Sequence, residues 1–230
     1  MKIVHKLLGV FIGVATLIIV LTTSFEIAAY GDYGWYEKEY AKYHVLEELE
    51  MEMDDVMHVT KEMMSYLRGN RKDLVVDTIV DGEPREFFND REKAHMVDVK
   101  NLFMGGLWMR RGALLLFVIA ALLLWKTKAD IRRVIPQACL ISMGSFIGVT
   151  VGAGLLFMSD FSKYFTLFHE LFFNNDLWLL DPTTDLMIRM LPEGFFLDMV
   201  VRIGVIFLIF MIFVLIISTV MLKCFKNKKN

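Results

Sequence analysis

The stretch Leu102-Phe103-Met104-Gly105-Gly106-Leu107-Trp108-Met109-Arg110-Arg111-Gly112, continued by 13 apolar residues from Ala113 to Trp125, decides how often this chain crosses a membrane. Gly112 to Trp125 alone is 14 residues, about 21 Å of helix. That length suits a buried helix as readily as a crossing of a hydrocarbon core about 30 Å thick. Joined to Leu102–Met109, the segment becomes one helix of adequate length. Arg110 and Arg111 then sit near one interface, where they snorkel or turn toward protein. Parity favours the joined reading, because a crossing at 102–125 leaves every short basic segment on one side.

Three other runs need no such argument. Leu7 to Phe25 has 19 residues without a charge, Val134 to Met158 has 25 and Ile203 to Leu222 has 20. With 56% hydrophobic residues in 230, the chain reads as a multi-span membrane protein rather than a soluble domain. The expected fold class is mainly all-α: four transmembrane helices with an extracellular, mostly helical cap. Its expected divisions are a helix at 1–29, the cap at 30–101 and a second helix at 102–125. A cytoplasmic loop at 126–133, a third helix at 134–158, a second cap segment at 159–199, a fourth helix at 200–222 and a tail at 223–230 follow. Lys2 and Lys6 give the first run a signal-like start, but it is longer than the usual signal core, so a retained anchor is expected.

Charge sets the orientation. Lys2, Lys6, the loop Lys126 to Arg133 and the tail Lys223 to Asn230 hold ten basic residues and one acid, Asp130. The remainder of the chain holds 15 of the 25 bases and 26 of the 27 acids, a net charge near −11. By the positive-inside rule both termini are cytoplasmic and the two longer polar segments face outward. So acidic an outer face excludes nucleic acid as a partner. Cys139 lies within the third span and Cys224 at the cytoplasmic end of the fourth, so no exported disulfide is expected and the chain is not itself a lipoprotein.

Within the cap, Tyr36, Tyr40, Tyr43, Leu46, Leu49, Met53, Val56, Thr60, Met63 and Leu67 recur at spacings of three or four. They form one apolar stripe of a helix that stops at Gly69-Asn70. Leu74 to Val80, bounded by Asp81-Gly82, reads as a strand or extended segment. Another helix is expected from Pro84 onward into the second span. In the second outer segment Phe161, Phe165, Phe168 and Phe172, with Phe173, mark an amphipathic helix carrying His169, broken by Asp181-Pro182.

Histidine is the side chain best suited to moving protons near neutral pH. His95 and His169 lie in the two outer segments, far apart in sequence but facing the same compartment, which points to an enzyme acting on an amphiphile. His95 and Asp98 are three residues apart and share a helix face, so the carboxylate can orient the imidazole. The plain alternative is an exposed contact on a soluble helix. His169 and Glu170 are adjacent and point in different directions. His44 and His58 are expected to be solvated, and His5 is cytoplasmic. There is no His-Glu-x-x-His motif, Cys pair or Gly-x-Ser-x-Gly elbow, so neither a metal nor a serine acyl-enzyme is expected. Direct transfer to an amine or to water, with histidines carrying protons, fits better.

As a set, His95-Met96-Val97-Asp98-Val99-Lys100, Phe168-His169-Glu170-Leu171-Phe172-Phe173, Trp178, Asp181-Pro182, Asp185 and Pro192-Glu193-Gly194-Phe195-Phe196 resemble the bacterial lipoprotein intramolecular transacylases. The resemblance runs over nearly the whole chain. It implies movement of an acyl chain from the sn-2 oxygen of a lipoprotein's diacylglyceryl group to the α-amino group of the same N-terminal cysteine. It also implies two catalytic histidines at the cap-membrane interface, which fall on His95 and His169, in the bacterial cell membrane.

An α-amino group with a pKa of about 7.7–8.0 needs a base before it attacks an ester. His95 is the expected base with Asp98 orienting it, and His169 the expected oxyanion or leaving-group partner. Phe168, Phe172, Phe173, Trp178 and Phe196 suit a confining, water-poor wall, or simple interfacial anchoring. No cofactor is expected. The expected partners are a diacylated lipoprotein and membrane lipid; the sequence sets no oligomeric state. A membrane hydrolase and a non-enzymatic sensor with an outer ligand-binding cap are the competing readings. The loop Lys126 to Arg133 leaves little to transmit a signal.

Overall fold

A computed structural model describes residues 2–227. Met1 and the end of the basic tail, 228–230, lie outside the described residues. The elements in chain order are α1 (Ile3–Tyr30), α2 (Gly34–Lys42), α3 (Val45–Leu49), α4 (Met53–Leu67), β1 (Asp77–Val80), β2 (Glu83–Glu86), α5 (Asp90–Lys126), α6 (Ile131–Ser159), α7 (Phe161–Phe172), α8 (Leu186–Met190) and α9 (Glu193–Asn227). The chain divides into two compact units. One takes in residues up to Ala28, Leu107–Leu155 and the chain from Val201; the other takes in Ala29–Gly106 and Leu156–Val200.

The first unit is built from α1, the second half of α5, α6 and α9, and all four helices are long and apolar enough to cross a membrane. Its outward side chains are apolar: Leu115, Leu122, Ile141, Leu155, Ile209 and Phe213 are all more than half exposed. Such a surface belongs in hydrocarbon, not water. Inside, Ile12, Ala120, Leu124 and Val134 join α1, α5 and α6, while Met143, Phe207 and Met211 join α6 and α9. Helices that cannot gain from excluding water associate through close packing of small residues. A side chain added at Gly13 would lie 3.1 Å from the Ala138 carbonyl and from Ser142. Arg110 turns inward and pairs with Glu26 of α1, and Arg111 lies over the Trp108 ring at 4.6 Å. The charges that interrupt the second apolar run are thus held by protein, and α5 continues unbroken through them.

In the second unit the stripe from Tyr36 to Leu67 is buried, or half-buried at Tyr43, Leu46 and Met53, but it is not one helix. His44 (φ 54°) and Glu50 (φ 52°) are left-handed and divide it into α2, α3 and α4. A straight helix would leave that stripe without a partner, whereas folding back lets its two ends bury each other. Tyr40 Oη lies 2.6 Å from Thr60 Oγ1, and Tyr36 donates to the Ala29 carbonyl at 2.9 Å. At the end of α4 the Asn70 N–H bonds the Ser65 carbonyl and the Gly69 N–H that of Tyr66, both at 3.0 Å. Gly69 (φ 83°) supplies the left-handed residue that this helix ending needs.

The helix expected from Pro84 is instead a strand. Ile79 pairs with Pro84 in an antiparallel hairpin whose two-residue turn, Asp81-Gly82, has positive φ at both positions. The helix begins six residues later, at Asp90. Likewise α7 stops at Phe172, well short of the expected break at Asp181-Pro182.

Candidate active site

The first turn of α5 is anchored by side chains that form a closed hydrogen-bond circuit. Asn89 Oδ1 accepts from the Glu92 N–H at 2.9 Å, and Glu92 Oε2 accepts from the Asn89 N–H at 2.7 Å. This is the reciprocal arrangement that satisfies orphan donors at a helix start. Glu92 is fully buried, and its second oxygen accepts from the Met187 N–H at 2.6 Å. Asn89 donates in turn to Asp185 at 2.7 Å. Burial pushes the Glu92 carboxyl above its ordinary range, opposed by the backbone donors it accepts from. One turn further along α5 stands His95.

On α7 the ordinary patterning is inverted. Leu167, Leu171 and Phe172 are more than half exposed, while the buried residue of the helix is His169. Its ring is packed between Phe165, with centroids 4.2 Å apart, and Trp178, stacked at 4.8 Å and 27°. Phe168 and Phe173 close in at 5.4 and 5.6 Å. The Trp178 indole is held by donating to the Asn175 carbonyl at 3.0 Å.

The two imidazoles meet. Their centroids are 6.1 Å apart, and Phe173 stands edge-on to His95 at 5.4 Å. His169 Nδ1 lies 2.7 Å from the Phe165 carbonyl oxygen. A carbonyl only accepts, so Nδ1 carries the proton and Nε2 keeps its lone pair. Among the described residues His95 Nδ1 is buried without a hydrogen-bond partner. Burial lowers the His95 pKa to about 4, helped by the neighbouring His169 and opposed by Asp98. Burial lowers that of His169 as well, against the carbonyl it donates to. Both rings are therefore neutral at pH 7, and a charge on either discourages a charge on the other.

The remaining expected residues fall at different distances from this pair. Trp178, Phe168 and Phe173 touch the histidines directly. Phe172 packs on Phe168 at 4.8 Å, and Phe196 stands behind Phe165 at 5.2 Å. Asp98 does not hydrogen-bond His95. Its carboxylate accepts instead from Asn175 Nδ2 at 2.8 Å and acts on His95 only through space. Asp181 and Asp185 hold structure: Asp181 caps Thr183 at 2.9 Å, and Asp185 accepts from the Asp181 N–H at 2.7 Å as well as from Asn89 at the start of α5. Sequence reasoning passed over Phe165, whose carbonyl sets the His169 tautomer, and Asn175, which holds both Asp98 and Trp178. It also passed over the Asn89-x-x-Glu92 pair, although that spacing is itself a helix-start signal.

The sequence profile of the lipoprotein intramolecular transacylase Lit family matches residues 10–196. No curated protein matches the chain in sequence. Among solved structures it is similar to the membrane integral lipoprotein intramolecular transacylase Lit from Bacillus cereus, determined in meso. The TM-score is 0.76 at 21% identity, with 98% of each chain covered. A form of that protein with one histidine replaced by alanine matches at 22% identity and TM-score 0.76, covering 98% of this chain and 96% of the other. A form with arginine there gives 21% and 0.76, covering 97% and 94%. With a profile match across most of its length and a shared four-helix membrane fold, this chain belongs to the lipoprotein intramolecular transacylase family.

Proposed function

We propose that this protein moves an acyl chain within one diacylated lipoprotein, from the sn-2 ester oxygen of its glyceryl group to the α-amino group of its N-terminal cysteine. The observation that carries this reading is the meeting of two neutral histidines, one with its tautomer fixed, inside an aromatic enclosure. His169 Nε2 is the base. It takes a proton from the amine as nitrogen attacks the ester carbonyl carbon. The resulting imidazolium lies against the Trp178 ring, a contact worth about 0.5–2 kcal/mol to a cation. His95 stabilises the developing oxyanion, and the His169 imidazolium returns its proton to the departing glyceryl oxygen. The ester C–O bond breaks, an amide forms and a free hydroxyl remains, so product and substrate are isomers.

This division of labour exchanges the roles that spacing alone suggested. His95 has no carboxylate bonded to its ring, whereas His169 has a backbone acceptor that fixes its tautomer. Because the pair resists a double charge, one proton circulates at a time. Donor and acceptor belong to one molecule, so most of the catalysis is positioning, which supplies about 7–11 kcal/mol in favourable cases. Phe165, Phe168, Phe173 and Trp178 exclude water that would otherwise take the acyl group.

The reaction takes place on the outer side of a bacterial cell membrane, with both termini cytoplasmic. The exposed Leu167, Leu171 and Phe172 of α7 face acyl chains of lipid or substrate. Purified protein incubated with a synthetic diacylglyceryl-cysteinyl peptide tests the reading by fragmentation mass spectrometry. An amide-linked chain on cysteine with one remaining ester is the expected product; loss of a free fatty acid would identify a hydrolase instead.

A further inference from the structure

Beside the histidine pair lies a cavity of about 180 Å³ where one carboxylate and three asparagines stand among Leu102, Phe172 and Phe173. Asp98 and Asn101 of α5 face Phe172, Phe173, Asn174 and Asn175 from the end of α7. Phe173 belongs to both places: it lines the cavity and touches both imidazoles. The far wall is fastened to α5 at two levels. Asn175 donates to Asp98, and Arg91 donates to the Asp176 carbonyl.

Asp98 is a carboxylate without a cation. The next basic residues on its helix are committed elsewhere: Lys100 donates to the Arg71 carbonyl at 2.7 Å and lies over the Tyr66 ring, Lys93 pairs with Glu86 at 2.6 Å, and Arg91 faces Asp176. Among the described residues Asp98 has one hydrogen-bond donor, Asn175 Nδ2, and no ion pair. A carboxylate accepts at about four lone-pair sites, so most of its capacity is open to a ligand. The three asparagines add amide donors and acceptors at the same place, the inventory that recognises a charged amine and the peptide groups next to it.

Resting on the transacylase reading, we propose that this cavity is the subsite for the substrate's primary α-ammonium group, with Asp98 as its counter-ion and Asn101, Asn174 and Asn175 holding the adjoining peptide. Asp98 then selects and places the nucleophile rather than orienting His95. It stands one helical turn from His95, a rise of about 4.5 Å, so an ammonium that sheds one proton to solvent as it leaves the carboxylate moves only a short way to the ester, where His169 Nε2 takes the second proton as nitrogen attacks. The site takes a free amine beside a dialkyl or diacyl glyceryl group, and it disfavours a lipopeptide whose amine is absent or already acylated. Release of the product follows from the same chemistry, since the amide has lost the charge that Asp98 binds.

The test is binding, not turnover, with the full chain in nanodiscs. The probe is an unreactive dialkylglyceryl-cysteinyl peptide, ether-linked, compared with its des-amino analogue. Wild type is expected to prefer the free amine by about tenfold. Asp98→Asn should reduce that preference to less than twofold while leaving affinity for the des-amino analogue unchanged, which a merely structural role would not do. Asn175→Ala should lower it in part. Equal binding of both analogues to wild type, or a preference that survives in Asp98→Asn, overturns the subsite and leaves the transacylase reading standing. Binding of neither analogue removes both. Short-chain phosphatidylethanolamine should fail to compete; displacement of the peptide at comparable concentration would assign the cavity to a lipid head group and overturn the proposal.

Discussion

His169 Nδ1 lies 2.7 Å from the carbonyl oxygen of Phe165, one turn earlier on the same helix. That bond turns a histidine that could present either nitrogen into one that presents a basic Nε2. It costs nothing in chain length, since the acceptor is the helix's own backbone. It also ties the orientation of the ring to the integrity of α7, because the same carbonyl can accept the helical N–H four residues on.

The first prediction follows from that arrangement. His169→Asn and His95→Asn should each remain folded and membrane-inserted, with turnover lowered by about 10²–10⁴-fold. His44→Asn and His58→Asn, whose rings are solvent-exposed, should stay within about twofold of wild type. The readout is the amide-linked fragment of the lipopeptide. Near wild-type amounts from both His169→Asn and His95→Asn would rule the mechanism out.

The second prediction concerns acid. An unfolded histidine titrates near 6.5, whereas buried His95 titrates at about 4. Between these values the unfolded chain takes up a proton that the folded chain refuses. Stability is therefore fully present above about pH 6.5 and is lost as pH falls toward 4, by at most about 3 kcal/mol from this residue. Thermal unfolding in detergent should shift down over that window, and His95→Asn should flatten the decline. An identical slope in the two proteins would contradict the assignment.

Much of this fold was legible because the membrane imposes simple rules. Long uncharged runs mark the spans with little reference to packing, and the one-sided distribution of Lys and Arg supplies the expected side. The breaks in the cap were not legible, because His44 and Glu50 carry no intrinsic signal for a left-handed backbone, unlike Gly69. Pro84 looked like a helix start, which proline suits. It stands instead in a two-stranded hairpin whose edge tolerates its missing N–H. At the site, sequence singled out both histidines, but spacing suggested an Asp98–His95 bond that the structure does not make. A shared helix face permits a contact without requiring it, and Asn175 competes for the same carboxylate. The Phe165 acceptor was hidden for a plainer reason: any residue has a carbonyl.

A third prediction tests how the start of α9 is held. A side chain added at Gly194 would come within 2.4 Å of the Tyr43 ring, closer than any packing allows. Tyr43 cannot simply swing away, since its hydroxyl donates to Asp198 at 2.6 Å. Gly194→Ala should therefore destabilise the protein by about 1–3 kcal/mol. Adding Tyr43→Ala should recover part of that loss, a coupling expected of residues in contact. Purely additive losses in the double variant would count against the clash.

The fourth prediction is the orientation, on which the placement of the reaction depends. Its basis is the ten-to-one excess of basic over acidic residues in the short segments. With Cys139 and Cys224 replaced by serine, Asp55→Cys and Asp176→Cys should react with a membrane-impermeant maleimide on intact cells. Asp130→Cys, in the loop between α5 and α6, should react only after the membrane is opened. Asp176 is well exposed, so protection there would reflect the membrane and not packing. Labelling of Asp130→Cys in intact cells, with Asp55→Cys protected, would invert the topology. It would also put the histidine pair on the cytoplasmic side, where the N-terminus of an exported lipoprotein is not found, and so remove the proposed substrate along with the orientation.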